Sequence, residues 1–433
     1  MTSRASLAPE WQRAFAWVEA CVGGKIARFE RQPRWRPAWN FDVECGGEML
    51  PLHFRGARIE RGVYPLEREA HILQLLESEG VPVPHVHGFC RDPEGILMDR
   101  VRGRANLATE ASAALRESAQ RHYIELLAQM HAIPLARCEA IGMERPANAD
   151  ALARADLDFY LRPFREGKQR PEPLIELALR WLARRAPRDR SEVAFLTGDA
   201  GQFLFEKGRV TAVLDLELAL LGDPLADLGA LRSRDLSEPL GDLSAAVRHY
   251  ESLRGPADRA VIDYHTARFA LCTPLAVANL IARPPKWLDL VQYTAWYHVY
   301  GRAALEAIAM CDGIPLERPA LPPSERPIAI GTADFDSYAR DAADRVAVWR
   351  ERQTRYGAAL EADTLAEFAR ILGSQPRTLA DADAALESLA LANGDPAREA
   401  EMLRALYRRC LREEALLQPV LRELEGVAIQ RIA

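Results

Sequence analysis

The 433-residue sequence has no paired cysteine motif: Cys21, Cys45, Cys90, Cys138, Cys272, Cys311 and Cys410 are scattered, odd in number and free of C-x-x-C spacing. Such a pattern favours reduced thiols over a zinc site or a disulfide frame. Positive charge is not in excess either. A net charge of −6 and an isoelectric point near 6.0 argue against a general nucleic-acid binder, which would show a basic stripe or domain. No apolar run is long enough to span a bilayer; the longest, around residues 270–282, is broken by Thr273, Pro274 and Asn279. The opening M-T-S-R-A-S-L-A-P-E-W-Q holds no apolar segment of signal-peptide length, so a cytoplasmic protein without membrane association is expected. Walker A, G-x-G-x-x-G, H-E-x-x-H and G-x-S-x-G motifs are all missing, which removes the commonest NTPase, dehydrogenase, zinc-protease and hydrolase chemistries.

What is present is a chain with 48% apolar residues, long enough for two or three domains with sizeable cores. Its most informative stretch runs from Val193 to Asp227. Three short apolar runs, 193–196, 202–205 and 210–214, with a Lys207-Gly208 turn between the last two, read as strand, loop, strand, turn, strand. Oxygen ligands interrupt them at Asp199, Gln202, Asp215 and Glu217, at strand ends where loops carry chemistry. Asp215 and Glu217, two apart in a segment expected to be extended, would share a face. That pairing suits a hard cation such as Mg²⁺, held by one or two carboxylates while phosphates and waters complete its octahedron. The alternative is a buried hairpin whose acids only satisfy backbone donors. Unpaired carboxylates on apolar strands would be costly without a ligand, which favours the first reading for Asp199 and Asp215. Asp223 and Asp227, at a loop-to-helix junction, read instead as caps.

The order Thr197-Gly198-Asp199, Gln202, Asp215 with Glu217, and Gly222-Asp223-Pro224 with Asp227 resembles the catalytic core of the aminoglycoside phosphotransferase family, small-molecule relatives of protein kinases that include choline kinases. That family has histidine where Thr197 stands, and its loop ends in asparagine where the shortened loop here offers Gln202. The resemblance covers about residues 20–310 and implies a two-lobed kinase-like α+β fold, an antiparallel small-lobe sheet over a mostly helical large lobe. It implies Asp199 as catalytic base, Gln202, Asp215 and Glu217 as ligands of Mg²⁺, and ATP as phosphoryl donor to a small-molecule hydroxyl. Because Thr197, the shortened loop with Gln202 and the glycine-free loop at 32–37 depart from the family pattern, a nucleotide-binding or interaction protein without phosphotransfer is the rival.

Earlier in the chain, residues 9–21 read as an amphipathic helix, and 25–31, 38–44 and 49–54 as strands of the small lobe, with a tight turn at Cys45-Gly46-Gly47. The loop 32–37, where the family is rich in glycine or serine, reads Q-P-R-W-R-P. Phosphate contact there would come from the Arg34 and Arg36 guanidiniums; an exposed basic hairpin tip is the other reading. By the resemblance, Arg55 stands at the phosphate-binding lysine position and Glu69, on the helix starting at Leu66, is its partner, with Glu67 a near alternative. Val81-Pro82-Val83-Pro84 breaks that helix. Strands at 85–90 and 96–98 then lead to a hinge, Met98 to Val101 with Arg100, whose backbone would meet adenine.

Strands are absent from Gly103 to Val193, and residues 110–132 read as one helix ending in His131, expected to be packed and not catalytic. Residues 240–253 and 259–310 read as helices, the second rich in rings: Tyr264, Phe269, Trp287, Tyr293, Trp296, Tyr297 and Tyr300. These rings are core or acceptor pocket. The few acids there point to a neutral, aromatic or acyl-CoA-like acceptor over a polycationic aminoglycoside. The expected division is a nucleotide lobe at 1–102, a catalytic and acceptor lobe at 103–312, a proline-rich linker at 313–331, and an all-helical domain at 332–433. Asp395-Pro396 starts a helix with an apolar stripe of Leu403, Leu406, Tyr407, Cys410 and Leu411. That stripe must pack within the tail, on the kinase body, or on a second subunit as a homodimer. The tail's position resembles the helical appendages beside some kinase-like proteins of acyl-CoA metabolism.

Overall fold

The computed structural model describes residues 4–32, 36–57, 64–286, 288–325, 335–392 and 395–433. Helix α1 (Pro9–Val22) leads into β1 (Lys25–Arg31), β2 (Ala38–Cys45) and β3 (Glu48–Gly56), followed by α2 (Leu66–Ser78), β4 (Val86–Arg91) and β5 (Glu94–Asp99). The five strands form one antiparallel sheet in the order β1-β2-β3-β5-β4. Alternation sets its faces: β2 buries Trp39, Phe41 and Val43, which meet Phe15 and Val18 of α1. Phe15 lies edge-on to Trp39 at 5.2 Å and to Phe41 at 4.8 Å. The hairpin between β2 and β3 turns at Gly46 and Gly47, whose φ values of 58° and 88° suit glycine.

The body continues through α3 (Ala113–His131), α4 (Leu135–Ala140), α5 (Ala149–Arg154), α6 (Leu157–Gly167) and α7 (Pro173–Arg185). Then come β6 (Ala194–Leu196), β7 (Phe203–Glu206), β8 (Arg209–Val213) and β9 (Leu220–Gly222). β7 pairs with β8 as expected, and β6 pairs with β9, a strand the sequence reading did not separate from its surroundings. The helices α8 (Leu225–Arg234), α9 (Leu243–Arg254), α10 (Arg259–Ala282) and α11 (Leu290–Asp312) complete the large lobe. The helical run expected over 259–310 is two helices, parted at Pro284-Pro285, with Asp289 capping α11 by accepting from the Gln292 N–H at 3.1 Å.

The two lobes share apolar packing, since Ile72 and Leu76 of α2 and Ile96 of β5 sit in one buried cluster with Ile124 of α3 and Leu228 of α8. The C-terminal helices are α12 (Phe335–Arg352), α13 (Ala358–Leu372), α14 (Leu379–Leu391) and α15 (Pro396–Leu417). Asp395 caps α15, accepting from the Ala397 N–H at 3.0 Å. The stripe Leu403, Leu406, Tyr407, Cys410 and Leu411 is buried in the same cluster as Ala304 and Ile308 of α11. Buried Arg302 of α11 ties the two together, donating to Glu306 and Glu414 at 2.6 Å each and to the Val427 carbonyl at 2.7 Å. Of the three partners expected for that stripe it meets two, the kinase body through α11 and the tail's own helices through Phe368 of α13 and Leu386 of α14, which leaves the expected homodimer without support. Among the described residues no helix is long and apolar enough to cross a membrane.

Candidate active site

Arg55 is the hub of one charged cluster. β3 is an interior strand, and at its end Arg55 pairs with Ala38 on one side and Ile96 on the other, which fixes where its side chain starts. Its Nε donates to Glu69 at 3.0 Å, and one terminal nitrogen donates to Asp215 and, at 3.4 Å, to Glu217. Glu69, in the first turn of α2, is 3% exposed. Burial pushes its carboxyl up from the ordinary range, against the pull of Arg55. Its neighbour Glu67 points away and meets Arg91 at 2.9 Å, which settles the geometric choice between the two. Arg36 also enters the cluster, buried and donating to Glu217. Burial, reinforced by the charge of Arg55, lowers its guanidinium to about 10. The reading of this loop as an exposed basic tip is thus corrected at Arg36; Arg34 lies outside the described residues, as does Trp287.

The path from β8 to these acids differs from the expected extended run. Asp215 has φ of 57° and Leu216–Leu218 closes a 3₁₀ turn. Aspartate tolerates this left-handed conformation better than most residues. The two carboxylates reach Arg55 through a tight turn and not through strand alternation.

Asp199 lies across from this cluster, in the loop from β6 to β7. Gly198 carries φ of 79°, and a Cβ there would stand 2.2 Å from the Leu218 carbonyl oxygen, so only glycine fits. Asp227, in the first turn of α8, holds the loop from below. It accepts from the Thr197 N–H at 2.8 Å, the Thr197 hydroxyl at 3.0 Å and the Gly198 N–H at 3.2 Å. Thr197, standing where the family has histidine, therefore shapes the loop. His131 is buried between the Tyr250 hydroxyl at 2.8 Å and Asp227 at 3.3 Å, a packed helix end. Asp223 accepts from both sides of the Arg190 fork, at 2.7 and 2.8 Å, and from the Leu225 N–H at 3.0 Å.

The Asp199 carboxylate is itself engaged. It accepts from the Gln202 side-chain NH₂ at 2.7 Å and from two nitrogens of Arg234, Nε at 3.1 Å and a terminal nitrogen. Burial pushes the Asp199 carboxyl up, and Arg234 opposes this. Arg234 was not singled out in the sequence. Its signal was helical spacing: it lies seven residues after Asp227, two turns along α8 and on nearly the same side.

At the hinge, Met98 is buried in β5 between His53 and Val86 of the neighbouring strands. The Asp99 N–H donates to the His85 carbonyl at 2.9 Å and the Arg100 N–H to that of Pro51 at 3.0 Å. The Arg100 side chain pairs with Asp42 at 2.5 Å. Two hinge amides thus already serve the lobe, which narrows the expected backbone contact with a base. The ring-rich helices are largely core: Tyr264 stacks on Trp181 at 6.0 Å, while Tyr300 donates to Ser237, close to Arg234, at 3.3 Å.

Among the described residues no group of three or more His, Cys, Asp or Glu could hold a metal unaided. The donor set of Asp215, Glu217 and the Gln202 amide fits Mg²⁺ of the kind that keeps waters and takes phosphate oxygens.

Residues 54–265 match the model of the phosphotransferase enzyme family, bearing out the resemblance to aminoglycoside phosphotransferases and choline kinase-like proteins. The chain is similar to acyl-CoA dehydrogenase family member 11 of Gallus gallus, 32% identical over 202 residues that cover 43% of this chain and 25% of that protein. It therefore spans about a quarter of the length of that curated relative. In fold it is similar to a Ralstonia eutropha protein classed as an aminoglycoside phosphotransferase, at TM-score 0.53 and 16% identity, over 70% of this chain and 98% of that one. A thermostable mutant of another aminoglycoside phosphotransferase, in ternary complex with AMP-PNP and hygromycin B, gives TM-score 0.52 at 15% identity, over 68% and 98% of the two chains.

Proposed function

We propose, from the premise that residues 54–265 match the phosphotransferase enzyme family, that this chain transfers the γ-phosphoryl group of ATP to a hydroxyl of a small molecule. The observation that carries the reading is the convergence of Glu69, Asp215 and Glu217 on Arg55 with Asp199 in the facing loop. Arg55, held by Glu69, positions the phosphates, with Arg36 on the same side and Met98 and Arg100 flanking the base; Arg34, outside the described residues, is kept in the reading only from the sequence. Asp215, Glu217 and the Gln202 amide oxygen would hold Mg²⁺, which would supply charge against the triphosphate. Asp199 orients the acceptor hydroxyl and takes its proton as that oxygen bonds to the γ-phosphorus and the bridging bond to ADP breaks. Positioning and charge supply most of the catalysis in such a transfer. The same reading divides the chain into a nucleotide lobe at 1–102, an acceptor lobe at 103–312, a linker at 313–331 and a helical domain at 332–433.

The acceptor in this reading is a neutral, aromatic or acyl-CoA-like metabolite and not an aminoglycoside. Arg234 stands beside the proposed base, where a polycation would meet like charge. An anionic group on the acceptor would draw Arg234 away from Asp199 and free the carboxylate for proton transfer.

The clamp on Asp199 also supports the rival, a nucleotide-binding protein without phosphotransfer. Thermal stabilisation by ATP with Mg²⁺, followed by ATPase and acceptor-panel assays on the wild type and Asp215→Ala, separates the two. The enzyme reading expects stabilisation and turnover that both fall in the variant. Stabilisation without any turnover across the panel supports the rival, and no nucleotide binding defeats both.

A further inference from the structure

A second polar site lies away from the residues above. A cavity of about 230 Å³ opens between the segment leading into α7, the α10–α11 pair and the C-terminal helices, and none of Asp199, Gln202, Asp215 or Arg234 lines it. At roughly 30 Å³ of liquid per molecule it has room for several waters or for one small organic compound.

Its charges are unequally matched. Glu172 accepts from Arg170 Nε at 2.7 Å and from the Tyr297 hydroxyl, and Asp383 pairs with Arg409. Glu413, one turn after Arg409 on α15, has no hydrogen-bonding partner among the described residues, so the lining carries one carboxyl beyond its two guanidiniums. Burial pushes the Glu413 carboxyl up; Arg409 pulls it down, Asp383 and Glu361 push it further up, and Arg170 pulls it down. Two ring nitrogens are also without partners: Nδ1 of His298 on α11 and Nε1 of Trp349 on α12, both buried and both in the lining. Burial, with Arg409 and Arg170 nearby, pushes His298 down to about 3, so its ring is neutral. Buried polar atoms left unpaired are costly, and two of them, facing the same cavity as the half-buried and unpartnered Glu413 carboxyl, point to an occupant.

We propose that this cavity binds a small organic ammonium compound, its charged nitrogen against Glu413 and an acceptor atom of the same molecule at the Trp349 N–H and His298. The Trp349 ring, also in the lining, would take the carbon skeleton and cation, while the Tyr297 ring already carries the Arg170 guanidinium at 6.0 Å. The occupant bridges helices of the kinase body and of the C-terminal region. It also touches α11 one turn from Tyr300, which reaches toward Arg234.

Thermal unfolding of the full chain at pH 7 tests this with ethanolamine and choline as probes, and with glycerol, acetate and matched sodium chloride as controls. At least one amine is expected to raise the melting temperature saturably. Glu413→Gln should weaken that affinity at least tenfold and Trp349→Phe a few-fold. Glu413→Gln itself should melt no lower than wild type. A carboxyl raised by folding costs stability once pH exceeds its unfolded value, and the amide lifts that cost. The proposal is overturned if no amine gives a saturable rise, if the rise persists in Glu413→Gln, or if glycerol matches it in wild type, the mark of a water-filled cavity only.

Discussion

The two halves of the candidate site handle charge differently. On the nucleotide side two guanidiniums, Arg55 and Arg36, share three carboxylates, Glu69, Asp215 and Glu217, in a network drawn from four separate segments. On the acceptor side one guanidinium closes on one carboxylate, Arg234 on Asp199. The first arrangement leaves a net negative charge for a cation to meet. The second neutralises itself until something displaces it; under the proposed function the first half would bind nucleotide and the second would wait for the acceptor.

The largest effect should come from the waiting half. Asp199→Asn should lower kcat by about 10²–10⁴ while nucleotide affinity barely changes, as expected for loss of a positioned base. In the wild type the rate should fall as pH drops through a midpoint above the ordinary aspartate value, because burial raises this carboxyl and the base must be ionised. That limb should vanish in the variant; kcat against pH for both proteins checks it.

The nucleotide half should break as a structure before it breaks as a catalyst. Arg55→Met strands Glu69, 3% exposed, without its cation, and removing one partner of a buried pair costs about 3–5 kcal/mol. Urea unfolding should show the loss, and Glu69→Gln in the same chain should recover part of it.

Arg234→Gln sharpens the contrast in the opposite direction. With the clamp gone, acceptor-free ATP hydrolysis measured near pH 8 should rise several-fold. The pH limb should also move upward, because Arg234 is what holds the Asp199 carboxyl down against burial. A fall in hydrolysis would mean that Arg234 orients the base and does not restrain it. The smallest effect belongs to Thr197→Val, which leaves the main-chain bond to Asp227 and deletes the hydroxyl bond, at about 1 kcal/mol of stability and little change in kcat.

What could be read from the sequence follows from how local each signal is. The strands of the small lobe and the three short strands around Asp199 depend on alternation and turn residues within a few positions, and they lie where expected. The sharing of Arg55 among acids 14, 160 and 162 residues away is a property of the assembled lobes; the order of motifs pointed to those residues but not to Arg36 joining them. Arg234 escaped because nothing in its own neighbourhood marks it, since an arginine ending a helix is ordinary on the macrodipole argument alone. The turn at Asp215 escaped because a left-handed aspartate looks, in sequence, like the end of a strand.

Helix α8 grips the Asp199 loop at two points, with Asp227 under Thr197 and Gly198 and Arg234 on Asp199 itself. Seven residues of helix make a rod about 10.5 Å long between those grips. A loop hung from one stiff rod cannot drift independently of it, so the aim of the base is set by how the rod lies on α10. The seam between them closes at Gly229, where a single added methyl carbon would stand 2.7 Å from the backbone of His265 and Thr266. Widening that seam tilts the rod, and the tilt arrives at the base undiminished. The precision of the reacting centre is thus decided where two helices touch, out of reach of nucleotide and acceptor alike.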